Sequence, residues 1–142
     1  RLPTEAEWEK AARGVLARKK FPYGDTLEMS NANYNKGFLR DKEMKPVGSF
    51  EPNSFGLYDI AGNVWEWCAD WFDDEEYKNR QGQQVTDPHG PQKGNTRVLR
   101  GGSFLSNHWF ARCAYRLRVI PVKTSNALGF RVASSPVIKS EL

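Results

Sequence analysis

The chain has 142 residues, 39% hydrophobic and 13% aromatic, a length suited to one domain that buries most of its apolar surface. A net charge of +4 and a pI near 9.1 are only mildly basic, and acids such as Asp73, Asp74, Glu75 and Glu76 interrupt the basic residues, so nucleic-acid binding is not expected. No apolar run is long enough to span a membrane.

Thr4 is a good N-cap, with Pro3 before it and Glu7 three residues on, which makes a capping box. Trp8, Ala11 and Ala12 then share one apolar face and Gly14 can end the turn, so the spacing predicts a helix over 4–13. From Val15 to Ser49 the pattern dissolves into Gly, Pro, Asn and charge. Phe21 to Asp25 reads as a turn and Lys45 to Ser49 as the start of a strand. So much loop argues against a helix-rich fold or a regular sandwich.

Asn53 to Trp71 organises the rest. The pair Gly62-Asn63 marks a turn between two apolar runs. Beyond it Trp65 and Trp67 alternate with Val64 and Glu66, which predicts a half-buried strand with both indoles facing a core and Glu66 on the opposite face. After Trp71, the acidic segment Asp73 to Glu76 and the polar stretch to Asn95 read as an exposed loop. Arg97 to Gly101 reads as a short strand entering the Gly101-Gly102 turn, and Arg112 to Arg116 and Leu128 to Val132 as further core strands.

Catalytic signals are sparse. Cys68 and Cys113 lack any zinc spacing, which leaves two buried thiols or one disulfide. His89 and His108 lie 19 residues apart with no carboxylate in register for a facial triad. No Ser/His/Asp order or paired-carboxylate spacing stands out.

Four stretches carry a family likeness. Gly56-Leu-Tyr-Asp-Ile-Ala-Gly-Asn-Val-Trp-Glu-Trp67 resembles the signature of the formylglycine-generating enzyme family, also called the sulfatase-modifying factor family. Arg1-Leu-Pro-Thr-Glu-Ala-Glu-Trp-Glu9, Arg97-Val-Leu-Arg-Gly-Gly-Ser-Phe104 and Gly129-Phe-Arg131 resemble three more of its motifs, in order. The resemblance implies an α+β, C-type-lectin-like fold with short strands, few helices and long loops. Members normally carry a substantial part ahead of the Arg-Leu-Pro-Thr motif. Residues 1–142 are therefore expected to be the C-terminal portion of one such domain.

The same resemblance carries expectations about chemistry. In the oxidases of the family, two cysteines shortly after the Gly-Gly-Ser motif bind copper and form formylglycine. Here Ser106 holds the first position and no cysteine follows until Cys113, which suits a later structural motif. A hydroxyl cannot replace a thiolate as a soft ligand, so neither copper nor oxidase activity is expected. Relatives that assist non-heme iron chemistry, such as sulfoxide synthases, take their histidines from another domain.

By position, a structural calcium ion would use the side chains of Asp59 and Glu66 and the carbonyls of Gly62 and Val64. The alternative has Asp59 capping the turn and Glu66 paired with an arginine. A second family site would involve Asn33 and Tyr34, with Asp41 as a further ligand.

Three classes of function follow: a binding module that has lost the oxidase cysteines, a catalytic member whose active residues lie outside this stretch, and a structural domain. The apolar loop residues after Gly-Gly-Ser favour binding. The expected face comprises Leu105, Ser106, His108, Trp109, Phe110, Leu117, Val119, Ile120 and Val122, with Arg112 to Arg116 as a fixed strand between its two loops, and takes a protein or small-molecule ligand. The alternative buries these residues inside the domain or against a preceding part. Variable proteins of diversity-generating retroelements are similar in varying this region. Localisation is left open: the final Lys139-Ser-Glu-Leu142 resembles an endoplasmic-reticulum retention signal, a match that chance readily produces.

Overall fold

The computed structural model describes residues 1–37 and 43–134, so Asp41 and the terminal Lys139 to Leu142 lie outside the described residues. Helix α1 spans Glu5–Arg13, and its capping box is present. The Glu7 amide donates to Thr4 Oγ1 (3.2 Å) and the Thr4 amide to Glu7 Oε2 (2.8 Å), which satisfies two amides with no partner inside the helix. Gly14 closes the helix with its amide on the Lys10 carbonyl (3.1 Å).

One small mixed sheet provides the frame. Its strands are β1 (Trp65–Trp71), β2 (Arg97–Arg100), β3 (Leu117–Val119) and β4 (Leu128–Gly129), in the order β3-β2-β1-β4. β1 and β2 run antiparallel with Glu66 opposite Arg100, and the register shifts between Trp67 and Trp71, a bulge that bends the long strand. β4 lies parallel to β1, and β3 antiparallel to β2. The fold is α+β with short strands, few helices and long connections. A short helix α2 (Glu76–Asn79) follows the acidic segment, and a 3-10 turn spans His108–Ala111.

Several expected strands are not strands. Arg112 to Arg116 forms a turn, with the Tyr115 amide on the Arg112 carbonyl (3.0 Å), and the strand begins at Leu117 instead. Leu117 and Val119 therefore belong to an edge strand rather than a loop. Only the first two residues of the expected Leu128 to Val132 strand are paired, and Lys45 to Ser49 is irregular with a turn at Val47-Gly48. The Phe21 to Asp25 turn is present, closed by a bridge between Phe21 and Gly24.

Both faces of β1 carry buried residues: Trp65 is 7% exposed, as expected, but the face opposite the indoles is buried as well. Glu66, Cys68 and Asp70 point toward α1 and are buried, whereas Trp67 and Trp71 are half-buried on the other face. The reason lies in α1, because Trp8 (1% exposed) and Ala12 pack with Ile60, Cys68, Val98 and Cys113 in one core cluster. The helix supplies the large ring, so β1 presents small and polar residues to it. Truncating such a buried indole costs about 3–5 kcal/mol. A second cluster, Phe21, Leu27, Ala32, Tyr34, Ala61 and Ala111, pins the long early loop to the segment after Gly102. Both thiols are free and buried.

Candidate functional site

The Gly62-Asn63 turn joins these elements because no other residue type fits there. Gly62 has φ of 76°, and a Cβ on it would lie 2.3 Å from the Asn33 carbonyl oxygen. That carbonyl accepts from the Asn63 amide (2.8 Å), while the Asn63 side chain exchanges two hydrogen bonds with the Lys45 backbone (3.0 and 3.1 Å). The Asn33 amide group donates to the Glu43 carbonyl (2.8 Å) and to Asn63 Oδ1 (3.3 Å). Asn33 thus clamps two loops to the tryptophan strand.

Glu66 is the centre of the motif and is 5% exposed. Arg131 grips it with two hydrogen bonds, Nε to Oε2 and Nη2 to Oε1, both 2.6 Å, and Trp8 Nε1 donates to Oε2 at 2.6 Å. Burial opposes the Arg131 charge, but the hydrogen bond and charge of Glu66 outweigh it and raise the guanidinium's pKa. Asp59, at φ of 53°, accepts from the Gly48 amide through Oδ2 (2.7 Å), and its buried Oδ1 has no hydrogen-bond partner. Val64 packs against Gly129, leaving no room there for a Cβ.

Calcium requires several oxygens not already neutralised by cations. Both Glu66 oxygens face the Arg131 guanidinium, Asn33 is engaged in holding loops, and Asp59 Oδ1 is without a hydrogen-bond partner. Among the described residues no three acidic, histidine or cysteine side chains converge. Of the set Asp59, Gly62, Val64, Glu66 and Asn33, the structure pairs Glu66 with Arg131 and leaves Asp59 Oδ1 without a hydrogen-bond partner. Glu66 acts as the buried acceptor that joins the chain's first and last motifs.

A second buried network joins the other motifs. Arg100, 0% exposed, donates through Nη2 to Glu9 Oε2 and to the Cys113 carbonyl (both 2.5 Å), and through Nη1 to the Tyr115 carbonyl (2.8 Å). Glu5 receives Arg116 on both oxygens (2.7 and 2.9 Å). The sequence held one signal for this network: Glu5 and Glu9 share a helix face at i and i+4. Nothing local marked Arg100 as buried.

The expected binding residues fall into separate groups. Trp109 is 53% exposed on the 3-10 turn, whose N-cap Asn107 accepts from the Trp109 amide (3.0 Å). With half-buried His108 it walls a groove of about 330 Å³ whose apolar part is Phe21, Leu27 and Tyr34, all missed in the sequence. Leu105 is exposed beside it in sequence, and Ser106 Oγ hydrogen-bonds Ser103 Oγ (2.9 Å). Phe110 packs edge-on against Tyr115 (4.9 Å) and Trp65 (6.2 Å), so it supports the turn instead of facing solvent. Leu117 and Val119 pair with Leu99 and Arg97 on the sheet edge, and Ile120 and Val122 (83% exposed) follow in the next loop.

The thiols are far from reactive. Burial pushes Cys68 well above the usual thiol range and Cys113 up to about 11.

The family model described as the sulfatase-modifying factor enzyme 1-like domain matches residues 1–136. The chain belongs to this family. The formylglycine-generating enzyme of Streptomyces coelicolor is 41% identical over 154 residues, covering 99% of this chain and 48% of that protein. A Chlamydia pneumoniae protein named serine/threonine-protein kinase pkn1 is 45% identical over 135 residues, 95% of this chain and 21% of its own length. Among solved structures, Treponema denticola variable protein 1 superposes with a TM-score of 0.80 at 39% identity, over 92% of this chain and 45% of that one. The chain spans about half the length of the Streptomyces and Treponema relatives and about a fifth of the chlamydial one. In this chain Glu66, Arg131, Arg100 and the acids of α1 join the four motifs to one another.

Proposed function

We propose that this chain is a binding module on the formylglycine-generating-enzyme scaffold, without oxidase activity, that takes a protein or small-molecule ligand at the face around Trp109. The observation that carries this reading is the indole itself: 53% exposed, on a capped 3-10 turn, beside an apolar groove. An exposed ring contiguous with an apolar groove is the kind of patch that marks an interaction site, and aromatic anchors dominate binding energy at interfaces.

Two further observations support it. Ser106 stands where the oxidases carry their first copper cysteine, and its hydroxyl is tied to Ser103. The chain's two thiols are buried with raised pKa values, which disfavours the thiolate that copper chemistry needs. The likeness to a variable protein agrees with a role in recognition.

Two measurements test it. Incubation of the full-length protein with copper and a Cys-x-Pro-x-Arg peptide is expected to yield no aldehyde above background. Trp109→Ala is expected to fold normally and to lose a partner captured by the wild type. Aldehyde formation, or capture unchanged in the variant, would overturn the reading.

A further inference from the structure

Between the turn after α1 and the Arg112 to Arg116 turn lies an open groove of about 680 Å³. Six cations line it, Arg13, Arg18, Lys19, Lys20, Arg112 and Arg116, and no carboxylate does. Three of them are already paired: Arg13 with Glu9 (2.7 Å), Arg116 with Glu5 (2.7 Å) and Lys19 with Asp25 (2.6 Å). Arg18, Lys20 and Arg112 make no ion pair among the described residues. Like charges gathered in one groove repel one another, and an anion in their midst relieves that cost.

Arg112 is the best placed of the three. Its guanidinium lies over the rings of Trp109 (5.3 Å) and Tyr115 (5.8 Å), and its Nε donates to the Trp109 carbonyl (2.9 Å). That bond orients the fork and leaves its two Nη groups for a ligand. A planar fork matches the two oxygens of a carboxylate. Through Arg112 the basic groove is continuous with the exposed Trp109 ring.

The groove also limits the length of its ligand. At one end it shares Lys20 with the groove beside Trp109, where Asp25 and Glu28 also line the wall. At the other it shares Arg13 and Ala17 with a groove over α1 lined by Glu5, Glu9, Asp70 and Glu76 and also by Lys10 and Arg80. A long polyanion would meet carboxylates mixed with cations in both directions instead of an unbroken basic track. A lone phosphate would engage one fork and leave the Trp109 ring uncovered.

We propose that this groove docks a short acidic peptide segment of a partner protein, two or three adjacent carboxylates lying on Arg18, Lys20 and Arg112 with a flanking apolar side chain on Trp109. The proposal rests on the reading of the Trp109 face as a binding surface and supplies the charge and length of what binds there.

The test uses the full chain and a fluorescein-labelled peptide, Leu-Glu-Asp-Glu, followed by anisotropy at about 0.05 M and about 0.2 M salt. Controls are the same peptide with Gln and Asn for its acids, inorganic phosphate as competitor, and a single-stranded oligonucleotide. The acidic peptide is expected to bind, more weakly at the higher salt, and the amide peptide not to bind. Arg18→Gln with Arg112→Gln is expected to lower affinity at least about tenfold at unchanged melting temperature, and Lys20→Glu, at an exposed position, to repeat the loss. Equal binding of acidic and amide peptides, or no loss in either variant, overturns the proposal. Tighter binding of the oligonucleotide, or full displacement by phosphate at matched ionic strength, overturns it in favour of those ligands. If Trp109→Ala binds like wild type while the cation variants fail, the groove stands and the Trp109 face does not; the reverse pattern removes the groove alone.

Discussion

Removing the Arg131 side chain should leave a buried carboxylate without its cation. In the wild type Glu66 receives three hydrogen bonds, two from Arg131 and one from Trp8, at 5% exposure. After Arg131→Ala only the Trp8 N–H remains, and breaking a buried pair from one side costs about 3–5 kcal/mol. For a domain of this size about 3 °C accompanies each kcal/mol, so the melting temperature is expected to fall by roughly 10–15 °C. Adding Glu66→Gln removes the stranded charge and should recover part of the loss, since an amide oxygen can still accept from Trp8. Thermal and urea unfolding of the two single variants and the double variant measure the coupling. A loss below about 1 kcal/mol in Arg131→Ala, or a double variant less stable than it, would refute the reasoning. Calcium enters the same cycle: if Glu66 held the ion, calcium would raise the melting temperature of the wild type and still more that of Arg131→Ala. Neither shift is expected.

Gly62→Ala should destabilise by more than about 1 kcal/mol, read by chemical unfolding, because its Cβ would meet the Asn33 carbonyl in a left-handed backbone. Glu7 is held down to about 2 chiefly by its hydrogen bond from Arg1. A depressed carboxyl stabilises the fold above its unfolded pKa, about 4.3, and loses that contribution as the pH falls toward 2. The stability gap between wild type and Glu7→Gln should therefore close over that window. Native protein should react with a thiol reagent only after denaturation, since Cys68 and Cys113 are buried with raised pKa values; reaction in the native state would contradict their placement.

The sequence by itself determined the features that depend on neighbours along the chain. Thr4, Glu7 and Gly14 wrote both ends of α1, because capping is settled within four residues. Gly62-Asn63 announced its turn, and the four family motifs announced the scaffold. Tertiary structure decided that both faces of β1 carry buried residues. Alternation makes Trp65 and Trp67 share a side but does not say that the opposite side is buried too, and Trp8, 58 residues away from Glu66, covers that side. The pairing of Glu66 with Arg131 is tertiary too, and no local pattern separates it from the ion-ligand reading. Arg112 to Arg116 became a turn because the Arg100 guanidinium binds the Cys113 and Tyr115 carbonyls, taking up acceptors that a strand would offer its neighbour. The basic groove was hidden for a related reason. Arg18 and Lys20 form a short basic run with Lys19 in the sequence, and only the fold sets that run beside Arg112.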